Sequence, residues 1–252
     1  MQTTFAQLMW THAKQRPDAP ALREKSFGIW QTVSWSQLGT LVRHIACGFA
    51  EAGLTRGEHV VVIGENRPRL YASMLAAQSL GAIPVPLYQD AVAAEFVFPI
   101  NNAEVRFAIV EYQEQVDKLL ELRAQCPQLA RVWYDDPRGL RHYDEPGLGS
   151  LDALIEAGRA HDAAHAGVYD AEVAAGKPDL KSLDDLKGKV VASNKGSAYD
   201  KWLLDNSARL GLKAAESYGT NADAMQAVIS GRADAGLTGD TVAADAVLRN
   251  QK

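Results

Sequence analysis

A turn of small residues ahead of one predicted helix has the chemistry of an anion site. Gly196, Ser197 and Ala198 follow a predicted strand and open that helix. The first N–H groups of a helix have no partner inside it and lie at the positive end of its dipole, where carboxylates and phosphates bind. Ser197 also fits a simpler role as an ordinary N-cap that needs no ligand. Asp240 precedes the last predicted helix and fits the same capping role.

Two weaker candidates for binding anions are a phosphate loop at this same turn and a second turn at residues 64–67. Lys195 precedes Gly196 and Ser197, and this is the only lysine on a glycine-containing loop that resembles a phosphate-binding loop. The run of glycines that normally precedes such a lysine is missing. Residues 64–67, Gly-Glu-Asn-Arg, follow a predicted strand and lead into a helix. A plain strand-to-helix connection is the favoured interpretation of residues 64–67.

The histidines and cysteines give little support for a metal site. His161 and His165 are four residues apart, so they would share one helix face as a pair of ligands. No further His or Cys clusters near them, and we expect both side chains on the solvated surface. Cys47 and Cys126 lack the spacing of metal ligands and are predicted to be free, buried or half-buried thiols of a reducing compartment.

Composition indicates an ordinary globular protein. Hydrophobic residues make up 47% of the 252 residues and charged residues 23%, which suffices for a sizeable core. The net charge of −5 provides no electrostatic reason to expect nucleic acid or an anionic membrane as partner. We see no signal segment and no apolar run of transmembrane length, so we expect a cytoplasmic location.

Strands and helices alternate along the chain and predict parallel sheets. A helix capped by Thr3 or Thr4 comes first, a pair of short strands follows, and Ser36 is predicted to cap a long amphipathic helix. The segment 135–149 is rich in Asp, Pro and Gly and is predicted to be a surface loop, and 161–178 is polar and alanine-rich. The fold class is therefore α/β, with two lobes that are each a mostly parallel sheet flanked by helices. The strands predicted for these sheets are residues 59–64, 82–87, 105–110 and 131–134, then 189–193, 213–218 and 233–237.

Three segments of the first lobe carry a resemblance to a known family. They are Val33–Leu38 (VSWSQL), Gly57–Pro68 (GEHVVVIGENRP) and Gly81–Leu87 (GAIPVPL). Together they resemble the N-terminal part of an AMP-forming acyl-CoA synthetase of the long-chain type, over residues 1–179. The resemblance implies that a Ser/Thr-Gly-rich loop ending in Pro-Lys-Gly comes next and holds the ATP phosphates. Here Lys181 and Ser182 follow Leu180 instead, so no catalytic residue of the family is carried onto this chain.

Residues 180–252 resemble a different family. The runs Ser182–Val191 (SLDDLKGKVV), Gly196–Tyr199 (GSAY) and Gly231–Ala235 (GRADA) are similar to the second lobe of polar amino-acid-binding proteins of ABC importers. This resemblance implies that Gly196, Ser197 and Ala198 hold a ligand carboxylate and that Asp240 pairs with its amino group. Ala198 replaces the usual hydroxyl residue, and the stretch before Asp240 is one residue longer than the common spacing.

We therefore predict a chimeric or truncated protein without complete ligase machinery and without catalytic residues. At most it binds an amino-acid-like solute weakly, because the first lobe of the binding-protein clamp is not in this chain. The alternatives are an AMP-forming acyl-CoA synthetase that activates fatty acids, or a scaffold module without small-molecule chemistry. No cofactor is expected unless the ligase alternative holds, which needs ATP, Mg²⁺ and CoA. We expect no nucleic-acid partner and no membrane insertion.

Overall fold

The computed structural model describes residues 4–176, 183–229 and 232–239. The chain divides into two compact units, Thr3–Gly176 and a unit within Lys177–Lys252, and each is described by itself. No helix in these described ranges is both long and apolar enough to cross a membrane.

The first unit begins with a helix, a hairpin and a second, longer helix. Helix α1 (Phe5–Gln15) leads to the antiparallel strands β1 (Pro20–Ser26) and β2 (Ile29–Ser34), and α2 (Trp35–Glu51) follows directly. Ser34 caps α2: its Oγ accepts the Gln37 N–H at 3.3 Å, and the Gln37 side chain accepts the Ser34 N–H at 2.8 Å. The prediction that Ser36 caps this helix was wrong, because the glutamine that completes a capping box lies three residues after Ser34.

The main sheet of this unit has five parallel strands in the order β4-β3-β5-β6-β7. Strand β4 contains Pro84 and Pro86 and lies at the edge, as its prolines indicate. The prediction of a surface loop at 135–149 was partly wrong, because the end of this segment belongs to the fifth strand and pairs with β6. The strands are β3 (His59–Ile63), β4 (Ile83–Leu87), β5 (Phe107–Val110), β6 (Arg131–Tyr134) and β7 (Leu148–Ser150).

Five helices follow α2 in the first unit. They are α3 (Pro68–Ser79), α4 (Ala93–Asn102), α5 (Gln113–Glu121), α6 (Leu151–Ala164) and α7 (Val168–Ala175). Helix α7 lies within the stretch 161–178 that showed no clear pattern, and it is anchored by the buried side chains of Tyr169 and Val173. Helices α2 and α6 approach closely at Gly48 and Gly158, where a Cβ on Gly158 would lie 1.8 Å from the carbonyl oxygen of His44.

The second unit is a smaller α/β sheet. After a short 3₁₀ turn at Leu183–Leu186, three parallel strands form in the order β10-β8-β9, with α8 and α9 as their connections. Both units are thus parallel sheets flanked by helices, and the predicted α/β fold class is confirmed. The elements are β8 (Val190–Asn194), α8 (Ala198–Leu210), β9 (Ala214–Tyr218), α9 (Asn221–Ile229) and β10 (Ala235–Leu237).

Candidate functional site

The predicted anion-binding turn lies at the start of α8. Gly196 has a φ of +79°, a left-handed conformation that glycine adopts without strain, and this turns the chain from β8 into the helix. Ser197 is the N-cap, and its Oγ accepts the Asp200 N–H at 3.0 Å. The structure therefore brings Gly196, Ser197 and Ala198 together at one helix end. The simple capping role of Ser197 is realised there.

The carboxylate of Asp200 folds back onto this turn. Its Oδ2 accepts the Gly196 N–H at 2.8 Å, and its Oδ1 accepts the hydroxyls of Ser217 at 2.5 Å and Ser193 at 2.7 Å. These donors, with Ser217 first, lower the pKa of Asp200 below its ordinary value. The backbone donor predicted for a ligand anion is therefore already bonded to a carboxylate of the protein.

Sequence reasoning missed Asp200, although a signal was present. Ser197 and Asp200 are three residues apart, which is the spacing of a capping box with an acid in the third helical position. Asp240, the second half of the predicted site, lies outside the described residues. Gly239 is described, and a Cβ built on it would lie 3.6 Å from the hydroxyl of Tyr199 in the first turn of α8.

The carboxyl ends of the five-stranded sheet form a second polar cluster. Strand β3 is flanked by β4 on one side and β5 on the other, so the chain order reverses there, at a place where α/β sheets often bind ligands. Glu111 follows β5 and is almost fully buried. Its Oε2 accepts the Glu65 N–H at 2.6 Å and its Oε1 accepts the Arg67 Nε–H at 2.9 Å. The protein thus supplies its own anion at this reversal point.

The turn 64–67 consequently serves as a connection between β3 and α3. The Glu65 N–H is directed at Glu111, and Pro68 occupies the first position of α3, where no N–H is needed. Nearby, Arg69 binds Asp135 at 2.8 Å and Asp152 at 2.6 Å. Burial raises the pKa of Asp135 despite the opposing charge of Arg69. These ion pairs link the first turn of α3 to the loop after β6 and to the first turn of α6.

His161 and His165 contact each other and a neighbouring side chain of the first unit. His165 is exposed as expected, but the prediction was wrong for His161, which is half-buried. The His161 Nδ1 lies 2.6 Å from Glu51 Oε2, and its ring stacks on His165 with centroids 4.2 Å apart. In the described ranges, no group of three or more His, Cys, Asp or Glu is placed to hold a metal ion.

The two cysteines are free and buried, as predicted. Burial raises the pKa of both thiols, that of Cys47 to about 11. Neither Cys47 nor Cys126 therefore has the depressed pKa that a nucleophilic thiol needs.

Solved structures of adenylate-forming enzymes share this fold. The acetoacetyl-CoA synthetase of Streptomyces lividans matches with a TM-score of 0.55 at 16% identity, over 93% of this chain and 42% of the synthetase. The coronafacic acid ligase of Pectobacterium brasiliense matches with a TM-score of 0.55 at 15% identity, over 92% of this chain and 49% of that one. At these identities the likeness establishes the fold alone.

The family follows from the sequence. Residues 9–165 match the model of the AMP-binding enzyme family, and the chain belongs to that family. A long-chain-fatty-acid–CoA ligase of Bos taurus is 26% identical over 62% of this chain and 21% of its own length. One of Mycobacterium bovis is 25% identical over 71% of this chain and 27% of its own length. The chain therefore spans about a quarter of the length of these curated ligases.

Proposed function

We propose that this chain combines a ligase-like unit without the complete ligase machinery with a second unit that binds an amino-acid-like solute weakly. The chain would then be chimeric or truncated relative to a full ligase. The solute site would consist of Gly196, Ser197, Ala198 and Asp240. No catalytic residue and no cofactor are part of this proposal.

The position of Asp200 carries the proposal. Its carboxylate accepts the Gly196 N–H at 2.8 Å, in the turn that also contains Lys195, the one phosphate-loop candidate. An ATP phosphate would have to displace a buried, hydrogen-bonded carboxylate and then lie beside its negative charge. The same competition applies to a solute carboxylate, which supports weak binding of a solute and argues against tight binding of ATP at this turn.

Calorimetric titration with a panel of amino acids tests the solute site. We expect weak heats with dissociation constants on the order of millimolar, since one lobe leaves most of a ligand in water. The variant Asp240→Asn should lose this heat while its melting temperature stays unchanged. Ser207→Ala, near the far end of α8, is the control and should bind as the wild type does. No heat with any amino acid at millimolar concentration would refute the solute site.

The family match at residues 9–165 favours a second candidate, an AMP-forming acyl-CoA synthetase that activates fatty acids. This alternative requires ATP, Mg²⁺ and CoA. Pyrophosphate release from ATP with a fatty acid would test it, and Lys195→Ala provides the matched variant. If the wild type releases pyrophosphate and Lys195→Ala does not, the ligase function would replace the first proposal. If the folded protein shows neither heat with solutes nor pyrophosphate release, the scaffold module is the remaining alternative.

A further inference from the structure

The hairpin of β1 and β2 packs on the core at its base and carries exposed apolar side chains at its tip. Phe27 is 98% exposed, and Ile29 and Trp30 are each 65% exposed. Residues 29–32 are exposed on both faces of their strand, so this end of the hairpin has no layer of the described first unit packed against it. Apolar residues gathered at an exposed tip are a recurring feature of surfaces that bind another apolar phase.

The turn places the Phe27 ring in solvent and holds its backbone in a strained conformation. Phe27 has a φ of +48° and Gly28 a φ of +80°, so both central residues of the hairpin turn are left-handed. Such turns favour Asn or Asp followed by Gly, and a bulky residue in the first position is strained. No burial within the protein offsets this strain, because the side chain of Phe27 is almost entirely in solvent.

One face of the hairpin is also basic. Lys25 pairs across the strands with Trp30, and Arg23 pairs with Thr32, so these four residues lie on the same face. Arg23 and Lys25 are both exposed, and neither forms an ion pair with a residue that the structure describes. The acid between them, Glu24, is on the opposite face and half-buried, with its carboxylate 4.0 Å from Arg67. The face of the hairpin with Arg23 and Lys25 is therefore positively charged, although the net charge of the chain is −5.

We propose that this hairpin docks on an anionic lipid bilayer surface. Phe27 and Ile29 would enter the boundary between headgroups and acyl chains, and Trp30 would lie at headgroup level, where its amphipathic ring is favoured. Arg23 and Lys25 would face the lipid phosphates, each attracted by the negative surface. The positive charges of Arg23 and Lys25 are complementary to an anionic surface. The compact apolar tip favours a lipid phase over a nucleic acid, because binding a nucleic acid backbone would require a longer row of basic side chains. This proposal is independent of the solute site.

Flotation of the full chain with phosphatidylcholine vesicles, with and without phosphatidylserine, tests the proposal. We expect binding only with phosphatidylserine, and weaker binding at high salt. Phe27→Asn should lower the partition coefficient by about tenfold or more, through loss of one buried aromatic side chain. Its melting temperature should stay the same or rise, because Asn-Gly suits this turn. A loss of binding in this variant therefore cannot be attributed to unfolding.

Two further variants complete the test. Phe5→Gln removes another exposed aromatic ring, 72% exposed and outside the hairpin, and should bind vesicles as the wild type does. Lys25→Gln should weaken binding and reduce its dependence on salt. Equal binding to neutral vesicles, no binding at all, or unchanged binding by Phe27→Asn would overturn the proposal. Binding of a single-stranded oligonucleotide without binding of vesicles would also overturn it, in favour of nucleic acid.

Discussion

Glu111 and Arg67 form an ion pair where the chain order of the main sheet reverses, with 2.9 Å between Oε1 and Nε. The carboxylate is buried, while the guanidinium is partly exposed and also lies 3.2 Å from Glu65. The pair raises the pKa of Arg67, chiefly through the hydrogen bond to Glu111. The Glu65 N–H and the Arg67 guanidinium at this reversal point are therefore already bonded to a carboxylate of the protein.

Removing the carboxylate of Glu111 should destabilise the first unit. Glu111→Ala leaves the Glu65 N–H and the Arg67 guanidinium without their acceptor, and we expect a loss of about 2 kcal/mol in the free energy of unfolding. Urea unfolding followed by circular dichroism measures this loss. Glu114→Ala is the matched control, because Glu114 is exposed and pairs with Lys118 one helical turn away, and its loss should cost ~0.5 kcal/mol or less. Equal effects of both variants would contradict a structural role for Glu111.

The contact between α2 and α6 should not tolerate a methyl group at Gly158. A Cβ there would lie 1.8 Å from the His44 carbonyl oxygen and 2.6 Å from the Gly48 nitrogen. Because both atoms belong to the backbone, the helices must separate, and we expect Gly158→Ala to cost about 3 kcal/mol. Thermal or urea unfolding measures the cost. Gly149→Ala serves as control, since its Cβ would lie an ordinary 3.4 Å from Trp133 Cδ1. Similar losses of stability in both variants would argue against the close contact between α2 and α6 at Gly158.

The second unit should lose stability as Asp200 becomes protonated. Its folded pKa is lowered by Ser217, Ser193 and the Gly196 N–H, so its stabilising contribution is present above the unfolded pKa of about 4. The contribution is lost as the pH falls through the folded pKa. The stability advantage of the wild type over Asp200→Asn should therefore shrink in that acid range. Asp205→Asn, at an exposed position on the same helix, is the control.

Hydrogen exchange provides a local readout for the same contact. The Gly196 amide is bonded to Asp200 Oδ2 and should exchange faster in Asp200→Ala than in the wild type. An unchanged exchange rate would show that Asp200 does not protect this amide. Such a result would also remove the observation on which the weak-binding proposal depends.

The two thiols should be unreactive in the folded protein. Burial raises the pKa of Cys47 to about 11, so the thiolate that reacts with disulfide reagents is scarce near neutral pH. Cys126 is buried as well. A colorimetric disulfide reagent at mildly alkaline pH should titrate neither thiol in buffer and both in denaturant. Rapid labelling of one thiol in buffer would contradict the buried position of that cysteine.

Sequence patterns identified most elements but placed some boundaries wrongly. Residues 59–64 and 82–87 were predicted as strands and form β3 and β4, because the residue preferences that indicate a strand act locally. The cap of α2 was placed at Ser36 although Ser34 performs it, since both serines precede the same apolar pattern. Strand β7 was missed because its three residues become a strand only by pairing with β6.

The amino-acid sequence by itself determined the α/β class, most of the strands and the likeness to AMP-forming ligases. Those features depend on composition, periodicity and segment order, which are properties of the chain read along its length. Only the tertiary structure decided what the polar residues do. Asp200 bonds to Ser217, and Glu111 to Arg67, across separate elements. Whether a helix end or a sheet crevice stays open to a ligand depends on which distant side chain folding brings there.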